Sequence, residues 1–308
     1  MEERRPGHLG VTFLGTSSGQ PTLTRGLSCV ALVRDGDLFL FDCGEGAQIQ
    51  FRKAGLRFGR LRAIFVTHMH GDHVTGLPGM LMSLQMTGRE EPLPIVGPPG
   101  IGEFVRETAR MIFTGFGFSL DFREHSEPGL VYEDDAVVVE AHPLEHRLFA
   151  IGYRFAERDF PGRFDVEAAT ALGVTPGPDF GRLQWGETVT TATGETVRPD
   201  QVLGPPRRGR VVSYCTDTRP CQGSVVLSRE ADFMIHEATF ARDRLDDARE
   251  TGHSTAEGAA AAALKAGARR LMITHFSPRY TEPDVLLSEA RSIFLNTEAA
   301  AELREYVI

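Results

Sequence analysis

Apolar and β-branched residues recur in short blocks at 11–14, 28–33, 38–41, 64–66, 137–141, 211–214 and 233–235. Blocks of this length, several ending at a polar residue, predict strands. Apolar residues spaced three and four apart predict helices over 78–86, 101–112, 254–266 and 283–294. Ser254 and Glu257 have capping-box spacing ahead of the alanine-rich helix, and Pro78 and Pro283 suit first helical turns. Strands first, then strands mixed with helices, predict sheets flanked by helices, an α/β fold. Between 157 and 206 both periods fail, because Pro161-Gly162, Gly173, Pro176-Gly177-Pro178, Gly181, Gly186, Gly194 and Gly204-Pro205-Pro206 break every stretch. So long an unpatterned segment inside a compact chain predicts an inserted lid, binding arm or functional loop.

One predicted strand end carries chemistry. After the apolar run that finishes at Val66, the chain reads T-H-M-H-G-D-H, placing His68, His70, Asp72 and His73 within six residues. Imidazole nitrogens and carboxylate oxygens suit zinc-type cations, and this spacing supplies ligands for two adjacent ions. Gly71 gives the backbone freedom to turn them together. Three further ligand-type residues stand at or near predicted strand ends: His146 in H-P-L-E-H-R, Asp217 after V-V-S-Y-C, and His275 after R-L-M-I-T. Strand ends are where open α/β sheets place ligands. His142, four residues before His146, competes with it for a ligand position, whereas His8 and His125 read as surface residues.

Composition narrows the setting. A chain of 308 residues with 41% hydrophobic content supports one large domain or two small ones with a substantial core. No apolar run approaches the roughly 20 residues needed to span a bilayer, and the N-terminal Met-Glu-Glu-Arg-Arg-Pro-Gly lacks an apolar signal core. A cytoplasmic protein without membrane association is the expectation. Cys29, Cys43, Cys215 and Cys221 form no C-x-x-C pair and read as reduced core or near-core residues. A formal charge of −9 disfavours nonspecific adhesion to nucleic acid, so a phosphate-backbone substrate requires a local basic patch or metals. Lys53 and Lys265 are the only lysines; arginine, which pairs bidentately with phosphate, supplies nearly all the positive charge.

Taken together, these motifs resemble the metallo-β-lactamase superfamily and, more narrowly, its ribonuclease Z family. The resemblance runs along the chain through G-T-S-S-G-Q-P-T at 15–22, L-F-D-C-G-E-G at 40–46, T-H-M-H-G-D-H at 67–73, G-Y-R at 152–154, D-T-R-P at 217–220, H-E-A-T-F at 236–240, G-H-S-T at 252–255 and T-H-F-S at 274–277. It implies a four-layer αβ/βα sandwich formed by residues 1–308 as one domain, with 157–206 an inserted flexible arm. It implies two zinc ions per subunit, with manganese or iron as substitutes. One would be held by His68, His70 and His146, the other by Asp72, His73 and His275, with Asp217 bridging. The position of His146 ahead of G-Y-R favours it over His142. The implied reaction is removal of the 3′ trailer from precursor tRNA: hydroxide attacks a phosphodiester, leaving a 3′-hydroxyl on the tRNA and a 5′-phosphate on the trailer. Asp72 would orient or deprotonate the water, His253 would protonate the leaving oxygen, and Glu237 would orient His253. Asp42 would buttress the histidine ligands. A homodimer is implied, the arm of one subunit serving its partner's site.

Two departures matter. The family's loop after the first strand carries a Pro-x-Lys-x-Arg-Asn pattern, but here it reads Pro21-Thr22-Leu23-Thr24-Arg25-Gly26, keeping the arginine but not the lysine or asparagine. The family's arm ends in a basic tip, but 156–185 holds three arginines against five acidic residues. Arg25 and the cluster Arg207, Arg208 and Arg210 are therefore the expected phosphate contacts. Phe160, Phe164, Phe180 and Trp185 offer stacking or simple hydrophobic contacts. A small-molecule phosphodiesterase or arylsulfatase-like hydrolase on the same site is the competing enzyme, and a metal-stabilised RNA-binding protein the non-enzymatic alternative.

Overall fold

The computed structural model describes residues 7–308; the N-terminal stretch read for a signal core lies, through residue 6, outside the described residues. The chain runs through β1 (Leu9–Gly15), β2 (Cys29–Arg34), β3 (Asp37–Phe41), α1 (Ala47–Lys53), β4 (Leu61–Phe65), α2 (Gly71–Val74), α3 (Leu77–Met86), β5 (Leu93–Gly97), α4 (Ile101–Met111), β6 (Leu120–Glu124), β7 (Gly129–Glu133), β8 (Val137–Leu144) and β9 (Ala150–Glu157). Then come α5 (Val166–Ala171), α6 (Pro178–Gln184), β10 (Val189–Thr190) and β11 (Thr196–Val197). The remainder is β12 (Val211–Cys215), α7 (Gln222–Leu227), β13 (Phe233–Glu237), α8 (Leu245–Thr251), α9 (Ala256–Ala266), β14 (Leu271–Thr274), α10 (Asp284–Arg291), β15 (Thr297–Ala299) and β16 (Glu305–Val307).

Two compact units emerge, one of residues 157–209 and a larger one of 8–156 with 210–308. In the larger unit the strands form two seven-stranded mixed sheets, ordered β16-β1-β2-β3-β4-β5-β6 and β15-β14-β13-β12-β9-β8-β7. Period-two alternation explains why they stack. Val11, Phe13, Val30, Leu32, Phe39 and Phe41 of the first sheet meet Tyr153, Phe155, Tyr214, Phe233 and Ile235 of the second in one core. Their alternates Leu14, Cys29, Ala31, Leu38 and Leu40 face outward against Phe51, Leu77, Met80 and Leu84 of α1 and α3. On the other side Met234 and Leu271 pack against the alanines of α9 and against Leu286 of α10. The result is helix, sheet, sheet, helix, the expected αβ/βα sandwich.

Each strand expected from the apolar blocks is present, within a few residues at its ends. The short or interrupted ones escaped the pattern. Strand β5 contains Pro94, and β9 contains Gly152, where a Cβ would lie 2.7 Å from Leu227 Cδ1 and 3.0 Å from Tyr214 O. Helix capping also differs from the expectation. Thr255, not Ser254, caps α9 by accepting from Gly258 N, while Ser254 Oγ donates to Thr218 O at 2.7 Å. Glu257 pairs with Arg242 instead of closing a capping box. Pro283 is the N-cap of α10, one position before the first turn, and α10 stops at Arg291.

The smaller unit has a core of its own. Ala169, Val174, Phe180, Leu183, Val189, Val197 and Val202 are buried together, with Phe164 packed against them. Asp165 caps α5 by accepting from Ala168 N, and the neck is closed by Phe160 and Arg207 exchanging backbone hydrogen bonds at 2.8 and 2.9 Å. Gly162 is required there, since a Cβ would meet Gly204 O at 1.8 Å. Phe180 is thus a core residue, whereas Trp185 is 66% exposed. Replacing Phe180 by Ala is expected to destabilise this unit by about 3–5 kcal/mol. Amide exchange and limited proteolysis should show the opening within 157–209.

Candidate metal centre

The ends of parallel strands deliver the polar residues. Strand β4 runs out through Val66 and Thr67 into His68, and the short helix α2 carries Asp72 and His73, with His70 at its N-cap. Asp42 directly follows β3, Asp217 lies two residues beyond β12, and His275 directly follows β14, all three in the left-handed backbone region with φ of 56°, 51° and 60°. Non-glycine residues rarely adopt that conformation, and it aims these side chains across the sheet ends at a cost the packing must offset. His146 stands between β8 and β9, its Nδ1 2.8 Å from Gly252 O.

Two groups of donors converge. In one, His68 Nε2 and His146 Nε2 lie 3.5 and 3.9 Å from Asp217 Oδ2, and His70 Nδ1 lies 2.9 Å from His68 Nε2 and 3.3 Å from His146 Nε2. In the other, His73 Nε2 and His275 Nε2 lie 3.2 and 3.1 Å from the opposite oxygen, Asp217 Oδ1, and 3.5 and 3.6 Å from Asp72 Oδ2. Within each group the ligand atoms all fall within 4.8 Å of one another. His73 Nε2 and His275 Nε2 are buried yet make no hydrogen bond. Buried nitrogens without partners, converging on carboxylate oxygens, are what a divalent cation with N and O ligands requires, and these residues fit one in each group.

Electrostatics keeps the carboxylates ionised and His68 neutral, whereas at His73 burial, which lowers the pKa, is overcome by Asp217 and Asp42, which raise it well above its ordinary value. Burial, with His73 close by, presses the His68 pKa well below its ordinary value, keeping the ring neutral with a lone pair available. Burial acts to raise the Asp217 pKa, but His275, His73 and His68 overcome it and hold the carboxyl well below the usual range. Asp72 is also held low, burial being outweighed by the close approach of His275 and His73.

Behind the donors stands a layer of orienting groups. His73 Nδ1 lies 2.8 Å from Asp42 Oδ2, which also accepts from Tyr214 OH at 2.9 Å, while Thr67 N donates to Asp42 Oδ1 at 2.8 Å. Thr67 Oγ1 lies 3.1 Å from His68 Nδ1, and Thr239 Oγ1 lies 3.0 Å from His275 Nδ1. Beside the second group, His253 Nδ1 is 2.8 Å from Glu237 Oε1 and its Nε2 is 4.0 Å from Asp217 Oδ2. Glu237, fully buried, also accepts from Thr218 N at 2.7 Å and Thr239 Oγ1 at 2.7 Å. Burial would lower the His253 pKa, but the charge and hydrogen bond of Glu237, with Asp217 and Asp72 beyond, raise it to about 9. His253 faces a cleft of about 490 Å³ whose other walls include Gly19, Phe240 and Arg279.

The structure therefore brings together His68, His70, Asp72, His73, His146, Asp217 and His275, with His253 and Glu237 alongside. It does not bring in His142, whose Nδ1 faces Pro143 O at 3.0 Å, or His8, which pairs with Glu305. None of the four cysteines falls in a donor group among the described residues. Arg25 donates to Tyr280 O at 2.6 Å and Thr281 O at 2.7 Å. Arg207 Nε donates to Pro161 O at 3.2 Å and Arg210 Nη1 to Ile308 O at 3.0 Å; Arg207 and Arg208 belong to the smaller unit and Arg210 to the larger. The orienting roles of Tyr214, Thr67 and Thr239, and the Gly19 amide that donates to Asp72 Oδ2 at 2.8 Å, were not singled out in the sequence. Thr67, Thr239 and Gly19 sit inside T-H-M-H-G-D-H, H-E-A-T and G-T-S-S-G-Q-P-T, which is a usable signal; Tyr214 offers none.

Comparison with known proteins agrees with this geometry. The model of the beta-lactamase superfamily domain matches residues 38–276. Ribonuclease Z of Salinibacter ruber is 52% identical over 302 residues, covering 97% of this chain and 94% of the relative. Ribonuclease Z of Microcystis aeruginosa is 46% identical over 306 residues, 97% of this chain and 96% of the relative. Among solved structures, the short form of human tRNase Z superposes with a TM-score of 0.68 at 29% identity, covering 96% of this chain and 98% of the human one. The metallo-beta-lactamase fold protein YhfI from Bacillus subtilis shares the fold at 17% identity and a TM-score of 0.68, covering 98% of this chain and all of its own. The chain belongs to the ribonuclease Z family of endoribonucleases within the beta-lactamase superfamily.

Proposed function

We propose that this protein removes the 3′ trailer from precursor tRNA by metal-dependent hydrolysis of one phosphodiester, leaving a tRNA 3′-hydroxyl and a trailer 5′-phosphate. The observation that carries the reading is the pair of donor groups sharing Asp217, with the His253–Glu237 pair beside them. The names of the relatives, ribonuclease Z and tRNase Z, support RNA and tRNA as the substrate class. In this reading His68, His70 and His146 would hold one ion and Asp72, His73 and His275 the second, with Asp217 shared between them.

Bound there, two divalent ions, zinc or in its place manganese or iron, supply Lewis acidity at the phosphate and make water a nucleophile near neutral pH. The chain's own residues do the rest. Asp72, ionised and fixed by the Gly19 amide, accepts a hydrogen bond from the attacking water and sets its direction. His253 is kept protonated by Glu237, which takes the Nδ1 proton in a hydrogen bond and leaves Nε2–H to be given to the leaving 3′ oxygen. Attack by water, not by the ribose 2′-hydroxyl, is what leaves the 3′-hydroxyl.

The family resemblance supports a homodimer as the working form, with the 157–209 unit as the substrate-binding arm. Among the described residues no helix is long and apolar enough to cross a membrane, and a cytoplasmic location accords with a tRNA substrate.

Three outcomes are expected. Incubated with precursor tRNAs with and without encoded CCA, the protein should produce new 3′ ends near the discriminator base, and chelator should abolish them; no metal-dependent cut there would sink the reading. Replacing His253 by Ala should lower kcat by about 10²- to 10⁴-fold while the metal content, measured by elemental analysis, stays at the wild-type level. Exchanging 158–208 for a short linker should abolish cleavage of precursor tRNA but spare bis(p-nitrophenyl) phosphate. Equal loss of both activities would count against that role for the arm.

A further inference from the structure

The hydrogen bond from Gly19 to Asp72 comes from a loop remote in sequence, and what holds that loop is a glutamate near the other end of the chain. The loop spans 16–26, and its two ends meet where Thr16 N and Ser17 N donate to Gly26 O at 3.0 and 2.9 Å. Glu302 sits at this neck. Its Oε1 accepts from Thr16 N at 2.9 Å, Gly26 N at 2.8 Å and Thr16 Oγ1 at 3.1 Å, so one carboxylate oxygen joins both ends of the loop. Its Oε2 accepts from Gln50 Nε2 at 2.8 Å, and the same Nε2 lies 3.1 Å from Leu14 O, which fixes the carboxylate from behind.

Past the neck the loop is pinned beside His275, since Ser18 N donates to Phe276 O at 3.0 Å and Phe276 N to Thr16 O at 2.8 Å. Gly19 then turns at φ 72° with open space where a Cβ would be. It offers the site only its backbone N–H, which reaches Asp72 Oδ2 at 2.8 Å. Asp72 is part-exposed, and no other hydrogen bond among the described residues fixes that oxygen from outside the donor group. A loop without a strand ladder keeps a single conformation only while its ends are tied, because its backbone entropy returns when they are released.

We propose that Glu302 is a positioning residue for phosphodiester cleavage: by clamping the neck of the 16–26 loop it holds the Gly19 amide on Asp72 and sets the direction of that carboxylate. The proposal rests on the reading of Asp72 as a ligand and water-orienting group. A residue that merely staples the C-terminal segment to β1, which it touches through the bridge between Phe13 and Glu302, would affect stability alone.

Two measurements separate these roles. In Glu302→Ala, assayed well below its melting temperature, kcat on bis(p-nitrophenyl) phosphate should fall about tenfold or more, as misplacement of a catalytic group does, with KM within about threefold of wild type. In the same variant, free of metal, the Gly19 amide should lose its protection from hydrogen exchange. Glu302→Gln keeps the Oε1 acceptor and should retain both kcat and Gly19 protection. Should Glu302→Ala not fold, Glu302→Asp, which withdraws the carboxylate by one methylene, must give the same two changes to a smaller degree. A lowered melting temperature with unchanged kcat, or a lowered kcat with Gly19 still protected, would overturn the proposal. Neither measurement requires tRNA, so a wild-type protein that leaves precursor tRNA uncut counts against the tRNA reading while Glu302 is still decided.

Discussion

Asp42 ties the two sheets together at the point where the site is built. It is fully buried, stands at the end of β3 in the first sheet, and accepts from Thr67 and His73 on the same side. Its Oδ2 also accepts from Tyr214 OH, which reaches across from β12 of the second sheet. A buried carboxylate is tolerable only when its oxygens are fully hydrogen-bonded, and removing it would leave buried donors without partners at a cost of roughly 1–3 kcal/mol each. The donors come from both sheets, His68 to His73 from the first and Asp217 and His275 from the second. Their spacing therefore depends on the register of the sheets at this contact.

Asp217 carries the same logic into the site. Its two oxygens face different histidine groups, so a single carboxylate sets the separation of the two donor groups. Local backbone preference is spent to achieve this. Asp42, Asp217 and His275 all occupy left-handed conformations that cost of order 1–3 kcal/mol each in non-glycine residues. The surrounding packing over-determines them: Phe41 and Phe65 stack at 5.0 Å, and Tyr153 OH donates to Val66 O at 2.6 Å just before the histidine run. Strain gathered at the ends of otherwise regular strands marks a site held for function and not for stability.

How much of this was legible in the sequence follows from the range of the interactions. The donors were legible because T-H-M-H-G-D-H is local and because Asp217 and His275 follow strands with clean apolar patterns. Strands β1 to β4, β8, β12 and β13 were legible for the same reason. Strands such as β5 and β9 were not, because a proline or glycine interrupts them and only tertiary contact reveals why it is tolerated. Arg25 was expected as a phosphate contact because it keeps the arginine of the family's loop pattern; that its guanidinium donates to two carbonyls about 255 residues away was not legible. The 157–206 stretch lacked any period because its core residues, from Ala169 to Val202, come from very short elements whose packing is decided by contacts distant in sequence. Glu302 is the extreme case: an ordinary surface-type residue in the sequence, it acquires meaning only through partners at Thr16, Gly26 and Gln50.

The donors are thus confined to one part of the chain. All seven donor residues, together with His253 and Glu237, lie in the larger unit, and the smaller unit contributes none of them. A unit with its own hydrophobic core can change its surface without disturbing donors whose positions depend on Asp42 and Asp217. The acidic stretch of 156–185 is a change of that kind, since none of its residues is a donor. With a formal charge of −9 the chain gains little from nonspecific attraction to phosphate, so selectivity must come from where its arginines are placed and from the shape of the RNA they meet. The physical constraint is therefore unequal: a change at the strand ends disturbs the donors directly, whereas the excursion has its own core and neck.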